Sequence, residues 1–408
     1  MIKKHKGYKF RLKPTKDQLI YFEKAFGCTR KMYNIYVDSL YQQLEKQNFE
    51  KGKIDYKSIK FVTPATIKKE LTYMKEIDSL AFANTQLQFQ KAIKKYNDEY
   101  WNKGYKKSAK KKVKTMGKEL TFRDLKGLPK FHKKHSCRDS YTTNNQKGTV
   151  AIVDEKFVKL PKLKPLVRFI NHRQLPQNSI IKSATISKTC DNYYISFTVE
   201  YEVEEVKPVE IKKVVGLDYS QSNFYVNSEG EKANYPHYYR KLENKLKLEQ
   251  QRLSRKVLKS NNWIKQKKKI SKLQNKIANQ RLDFIHKLSY RLAEEYDCVV
   301  VEDLDLKNLA QCLSLGKNLH DNGFGKFREF LAYKLEDRGK QLIKIDKFFP
   351  SSKTCSKCGH YKDNLQLSDR IYHCDNCGYN IDRDINASIN IKEEGINILK
   401  TCGSRGLA

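Results

Sequence analysis

The 408 residues predict a chain of mixed α/β and β structure in two or three domains. The length exceeds what one hydrophobic core usually serves. Apolar residues recur with period two over about 147–206, as in half-buried antiparallel strands. Beyond residue 212 apolar strands alternate with helical stretches, the pattern of an α/β sheet.

The first element is a strand, "GYKFRLKPT", with Tyr8, Phe10 and Leu12 alternating before Pro14 and a Thr that can cap a helix. From Lys16 to about Leu44, Leu19, Phe22, Phe26, Met32, Tyr33 and Tyr36 fall at near-helical spacing. Helices also fit residues 64–75 and 78–101, the second ending in "YNDEYW". "KGYKKSAKKKVKTMGK" carries eight lysines in sixteen positions and has almost nothing to bury. It reads as a solvated loop suited to phosphate contact without sequence reading.

The period then changes to two. "TVAIVD", "FVKLP", "LVRFI", "IIKSATIS" and "YYISFTVEYEVEE" make a small sheet or barrel. The last sets Ile195, Phe197, Val199, Tyr201 and Val203 against Ser196, Thr198, Glu200 and Glu202. Pro208, Lys212 and Lys213 mark a boundary. "KVVGLDYSQSNFYVNSEGE" follows as two strands, and residues 238–296 as a helical hairpin broken at "KSNN". Its second arm turns Trp263, Ile270, Leu273, Ile277, Phe284 and Leu288 toward a core. "CVVVEDLDL" is a buried strand, "FGKFREFLAYKLEDRG" a helix ended by Gly339, and "QLIKIDKFF" another strand.

Against 46 acidic residues stand 82 lysines and arginines, a net charge of +36 spread along the chain. Such a chain repels itself unless it meets a polyanion, and nucleic acid is the commonest; a basic ribosomal or membrane-surface protein is the alternative. The N-terminal "MIKKHKGYKFRLKPTK" lacks the apolar stretch of a secretory signal, and no apolar run is long enough to span a membrane. The expected location is the cytosol. Of ten cysteines, four form two Cys-x-x-Cys pairs and six are scattered, which suits a metal site in a reducing compartment better than a disulfide framework.

Cys355 and Cys358 in "CSKCG", and Cys374 and Cys377 in "CDNCG", are two pairs separated by fifteen residues. Two tight turns each offering two thiolates make a closed tetrahedral site for structural zinc. His360 and His373 adjoin the pairs and read as surface residues. A separate constellation is acidic: Asp218 ends "VVGLD", Glu302 ends "VVVE", and Asp384 begins the helical "DINASINI". Strand ends meet at a common edge, so these carboxylates can converge. Crowded carboxylates resist ionisation unless a divalent cation joins them, and hard oxygen ligands imply magnesium or manganese. Two such ions about 4 Å apart could activate water and stabilise the leaving oxygen of a phosphodiester. An Asp after a strand often only caps a turn, however. Asp303 and Asp305 read as solvated loop acids, and Asp382 competes with Asp384 for the third place.

"VVGLDYS", "VVVEDLDLKNL", "FFPSSKTCSKCG", "CDNCGYNIDRDINASINI" and "RLDFIHKLS" together resemble the TnpB (OrfB) family, transposon-encoded proteins similar to the nuclease part of type V CRISPR effectors. "YKFRLKPTKDQLIYFEKAFGCTRKMYN" and "LPKFHKKHSCRDSYTTNN" extend the resemblance over nearly the whole chain. The resemblance implies an RNase H-like (RuvC) nuclease domain at 212–350 and 379–396, with a zinc ribbon at 351–378 inserted before its last helix. It implies a β-barrel wedge domain at 1–14 and 126–211, interrupted by a helical recognition domain at 15–125, and a flexible tail at 397–408.

The family's three metal-binding acids correspond to Asp218, Glu302 and Asp384; in its pattern Asp-x-Asn-Ala-Ala-x-Asn-Ile the ligand lies two before the Asn, which selects Asp384 over Asp382. Ser388 replaces the second Ala, and "DYSQSNF" stands where an aliphatic residue and a Gly often follow the first Asp; neither removes a carboxylate. The resemblance further implies guide RNA and target double-stranded DNA as partners, with a monomer on RNA. It places Asn84, Tyr141, Thr143 and Asn144 near a short flanking DNA motif; Arg370 is a candidate for a phosphate. The expected activity is therefore RNA-guided, magnesium-dependent DNA cleavage. A nuclease-inactive RNA-guided repressor is the alternative, opposed by three intact acids. A strand-joining or accessory transposase is another, but single-strand transposases pair a Tyr nucleophile with His ligands, and no His-x-His occurs here.

Overall fold

The computed structural model describes residues 1–46, 59–98, 127–134, 139–305, 321, 323–366 and 368–401. The lysine-rich stretch at 103–118 and the end of the expected 78–101 helix lie outside them. The chain divides into two compact units, Met1–Glu204 and Glu205–Ala408. Among the described residues no helix is long and apolar enough to cross a membrane.

The first unit is built on a seven-stranded antiparallel sheet. Its strands are β1 (Ile2–Lys13), β2 (Ser140–Asn144), β3 (Ala151–Val153), β4 (Phe157–Leu160), β5 (Leu163–Ile170), β6 (Ile180–Thr189) and β7 (Asn192–Val203), in the order β2-β6-β7-β1-β5-β4-β3. The period-two pattern sets the register: Tyr8, Phe10 and Leu12 of β1 lie opposite Phe197, Ile195 and Tyr193 of β7, and all six are buried. Tyr201 and Val203, expected on the same face, are only half-buried.

Helix α1 (Lys16–Lys46) starts with a reciprocal cap: Thr15 Oγ1 accepts from the Gln18 N–H at 3.4 Å, and Gln18 Oε1 accepts from the Thr15 N–H at 3.0 Å. The helix expected at 64–75 is two pieces, α2 (Pro64–Glu70) and a 3₁₀ turn at Thr72–Glu76. Leu71 leaves the helical region between them, and Met74 and Ile77 enter the core. Helix α3 (Ser79–Lys95) is capped by the Asp78 carboxylate.

The second unit holds a four-stranded sheet of β8 (Val214–Ser220), β9 (Phe224–Asn227), β10 (Cys298–Glu302) and β11 (Gln341–Ile345), in the order β11-β10-β8-β9. β8, β10 and β11 run parallel, and β9 is antiparallel to β8. The helices are α4 (Tyr238–Ser254), α5 (Asn261–Glu295), α6 (Phe324–Glu336) and α7 (Arg383–Thr401); β12 (Ile371–His373) and β13 (Asn380–Asp382) form a small hairpin. Strand alternation sorts the two faces. Val215, Leu217, Val299 and Val301 pack with Ile285 and Leu292 of α5 and Phe327 and Leu331 of α6. Val214, Cys298 and Val300 pack with Ile391 and Leu399 of α7 on the other face.

The break between α4 and α5 falls at residues 255–260, where Ser260 caps α5 through the Trp263 N–H at 3.1 Å. Ile270, Ile277 and Leu288 of the second arm are buried; Trp263, Leu273 and Phe284 are half-buried.

Helix α7 lies against β8 because residue 216 is glycine. A Cβ there would stand 2.1 Å from the Ser388 carbonyl oxygen and 2.6 Å from the Lys392 nitrogen, both helix backbone atoms. Gly216→Ala must therefore lift the helix. It is expected to cost about 3 kcal/mol, the upper end of overpacking penalties, read as a lowered urea midpoint at unchanged slope.

Candidate functional site

Val301 of β10 pairs with Leu217 of β8 in parallel register, so Glu302 and Asp218 are the next residues along neighbouring strands. By alternation they point to the face that carries Val214, Gly216 and Val300, the one covered by α7. Asp384 sits in the first turn of that helix. All three acids are half-buried.

Burial dominates the electrostatics of Asp218 and Glu302. Burial pushes the Asp218 carboxyl well above the usual range, and the charges of Glu302 and Asp384 push it further; Arg383 opposes them. Burial also raises Glu302, offset by the Ser351 hydroxyl, which donates to Glu302 Oε1 at 2.6 Å. Asp382 does not join the cluster as an equal. Its Oδ1 accepts from the Asp384 N–H at 2.9 Å and the Ile385 N–H at 3.3 Å, so it caps the helix that carries Asp384.

The four cysteines form a second, sulfur-only group. Their Sγ atoms all lie within 4.8 Å of one another. Cys358 and Cys374 are 3.5 Å apart and Cys355 and Cys377 3.8 Å, too far for disulfides. A zinc ion with four bonds of about 2.3 Å in a tetrahedron requires sulfurs about 3.8 Å apart. The donor set therefore fits that ion. The two knuckles repeat one geometry: Gly359 N–H donates to the Cys355 carbonyl and Gly378 N–H to the Cys374 carbonyl, each at 2.9 Å, with the glycines at φ of +73° and +67°. Only glycine takes that conformation without strain. The His360 N–H favours the Cys358 thiolate, lowering that thiol to about 6. His360 and His373 are exposed and stand outside the sulfur group; His373 Nδ1 pairs with Asn380 Oδ1 at 2.7 Å. Among the described residues, the cysteines are the group whose ligand atoms lie this close together; the carboxylates are spread more widely.

Asn386 and Asn390 of α7 tie the cysteine segment to the acids. Asn386 Nδ2 donates to the Thr354 carbonyl at 2.7 Å, and its Oδ1 accepts from the Ser356 N–H at 2.9 Å. Asn390 Nδ2 donates to the carbonyls of Ser351 and Thr354, at 2.7 and 2.6 Å. Sequence reasoning missed this clamp and Ser351. The signal for the clamp was two asparagines four apart on an otherwise apolar helix face; for Ser351 there was none.

The nucleic-acid candidates separate by burial. Tyr141 and Thr143 point inward from β2, at 4% and 0% exposure, and Thr143 donates to the Asp78 carboxylate. Alternation on β2 makes both core residues. Asn84 and Asn144 are half-buried, with Asn84 Nδ2 donating to the Thr142 carbonyl at 3.1 Å and to Asn144 Oδ1 at 3.3 Å. Arg370 is exposed, and its carbonyl accepts from the Arg383 N–H at 2.9 Å.

Three family models match the chain. OrfB_IS605, described as "Probable transposase", covers residues 196–313; the Cas12f1-like TNB domain covers 324–391; and the OrfB_IS605 "Helix-turn-helix domain" covers 1–48, the span that here forms β1 and α1. An Escherichia coli K12 protein named "Putative RNA-guided DNA endonuclease InsQ" is 31% identical over 298 residues, 69% of this chain and 72% of the relative. The chain belongs to the TnpB (OrfB) family. A Streptomyces pristinaespiralis relative that bears the same RNA-guided endonuclease description is 29% identical, across 98% of this chain and 91% of its own. The family likeness reaches the Cas12f1 CRISPR-associated endodeoxyribonuclease of Sulfoacidibacillus thermotolerans, 25% identical over 49% of this chain and 50% of that one. A solved Cas12f1–sgRNA–target DNA complex aligns over 95% of this chain and 98% of that one at 16% identity and a TM-score of 0.33.

Proposed function

We propose that the chain is an RNA-guided, magnesium-dependent DNA endonuclease encoded by a transposon, which cuts DNA paired to a guide RNA beside a short flanking motif. The observation that carries this is the placement of Asp218 and Glu302 at adjacent parallel strand ends, on the face where α7 brings Asp384. Burial, then the charges of Glu302 and Asp384, hold the Asp218 carboxyl above its usual range, and oxygen donors of this kind suit hard divalent cations. Asp218, Glu302 and Asp384 would hold magnesium or manganese, which when bound supplies an activated water and charge neutralisation at a phosphodiester. Ser351 orients Glu302, and Asp382 fixes the turn that presents Asp384.

Cys355, Cys358, Cys374 and Cys377 would hold structural zinc, with no ligand position left for water. Residues 212–350 and 379–396 are read as a RuvC-like nuclease domain and 351–378 as its zinc ribbon; 1–14 and 126–211 as the β-barrel wedge; 15–125 as the recognition domain. Guide RNA and target duplex are the partners that the relatives' descriptions and the +36 charge support, with a location in cytoplasm and nucleoid. Asn84 and Asn144 would stand near the flanking motif and Arg370 near a phosphate, while buried Tyr141 and Thr143 would shape the surface beneath.

The test is to sequence the RNA that copurifies and challenge the complex with its DNA complement joined to a library of flanks. Cleavage restricted to a small set of flanks is expected. Binding of the same complex should fall at least about 10³-fold between 50 and 200 mM salt, as six or more phosphate contacts require. An affinity that barely changes over that range would argue against a backbone-dominated interface.

A further inference from the structure

The loop between β11 and the cysteine segment presents an aromatic ring to solvent beside the acids. Phe348 is 80% exposed. Both ends of its loop are fixed at Glu302. Ile345 pairs with Glu302 in the sheet, and its carbonyl accepts from the Asp303 N–H at 3.1 Å. At the other end Ser351 bonds the Glu302 carboxylate, and its carbonyl is held by Asn390. Phe348 lies three residues from each anchor, so its backbone is within roughly 10 Å of both.

The loop between the anchors is ordered by its own bonds. Asp346 Oδ1 accepts from the Phe348 N–H at 2.7 Å, the Asp346 carbonyl accepts from the Phe349 N–H at 3.2 Å, and Phe349 packs into the α7 face. That turn sends Phe349 inward and leaves Phe348 outside. The Lys347 ammonium lies over the Phe348 ring, 4.5 Å from its centroid.

A ring carried into water on a hydrogen-bonded turn, beside a cation, has two surfaces to offer, a π-face for a base and a charge for the phosphate next to it. Base–aromatic stacking is tolerant of sequence, as an enzyme needs whose sequence reading is done by pairing. We propose that Phe348, with Lys347, stacks on an unpaired base of the DNA strand entering the acid cluster and so sets the phosphate that reaches it. This rests on the nuclease reading above. Phe348 is a positioning residue: it touches a base beside the scissile bond and holds no metal.

The experiment uses the full chain with its copurified RNA and the variants Phe348→Ala, Phe348→Leu and Phe348→Trp. At subsaturating matched DNA, Ala and Leu are expected to slow cleavage about tenfold. Trp should stay within about twofold of wild type, and RNA binding and zinc content should not change. Abasic sites walked along both strands should reproduce the defect at one position in wild type and add nothing there in F348A. Matched DNA in calcium should also quench the extra emission of F348W over the two native tryptophans. Wild-type rates for F348L, or no sensitive abasic position, would overturn the proposal while leaving the nuclease standing. If wild type never cuts but the F348W signal is quenched, the nuclease reading fails and the base contact survives. Absence of both cleavage and quenching overturns both.

Discussion

Asp218→Ala or Glu302→Ala is expected to reduce magnesium-dependent DNA cleavage on the order of 10⁴-fold or more, with RNA binding nearly unchanged. Each carboxylate supplies part of one oxygen cluster, so the loss is not shared out among the survivors. Asp218→Asn should be equally inactive, yet it should stabilise the metal-free protein. The reason is the raised Asp218 pKa, caused by burial and then by the charges of Glu302 and Asp384. An acid with a raised folded pKa destabilises the fold as pH rises above its unfolded value, because the unfolded chain ionises freely and the folded one does not. The advantage of the Asn variant should vanish below about pH 4 and grow above it. In a chelator at pH 7 a gain of about 2–4 °C in Tm is expected for each kcal/mol relieved. Adding magnesium should raise the wild-type Tm and leave that of the variant nearly unmoved.

The second large effect is at the cysteines. Metal analysis of the purified chain should return about one zinc per protein, and Cys374→Ser should lose it. Structural zinc contributes about 10–16 kcal/mol in small sulfur-bound domains, so the segment around 351–378 should lose its fold locally. The damage should not stop there. Thr354, Ser356 and Ser351 hold Asn386, Asn390 and Glu302, so freeing that segment releases both the helix that carries Asp384 and the bond that orients Glu302. Cleavage should fall with zinc content. A Cys374→Ser protein with full zinc and full activity would contradict this coupling.

The parts legible in the sequence were those in which one element carries its own pattern. Tyr8, Phe10 and Leu12 announce β1, and Ile195, Phe197 and Val199 announce β7, because alternation is a local property. The cysteine spacing announces the knuckles for the same reason. What was not legible depends on partners distant in the chain. Nothing near Leu71 says that its helix must end there, since the cause is burial of Met74 and Ile77. Nothing in "SYTTNN" itself announces that pairing with β6 makes it a strand whose Tyr141 and Thr143 face the core. Asp382 and Asp384 were rivals in the sequence; the helix start gives them different tasks, one capping and one facing the acid cluster. Gly216 looked like any strand glycine until α7 was found against it.

On the proposed reading, the three acids form one metal-dependent centre for cutting guided DNA. This is tested most directly by single-turnover cleavage of matched, correctly flanked DNA by the copurified RNA complex, wild type and Asp218→Ala side by side, in magnesium and in chelator. The prediction is cleavage by wild type in magnesium alone, and none by the variant, although both bind the DNA. Equal cleavage by the variant, or cleavage by wild type without any divalent metal, would contradict it.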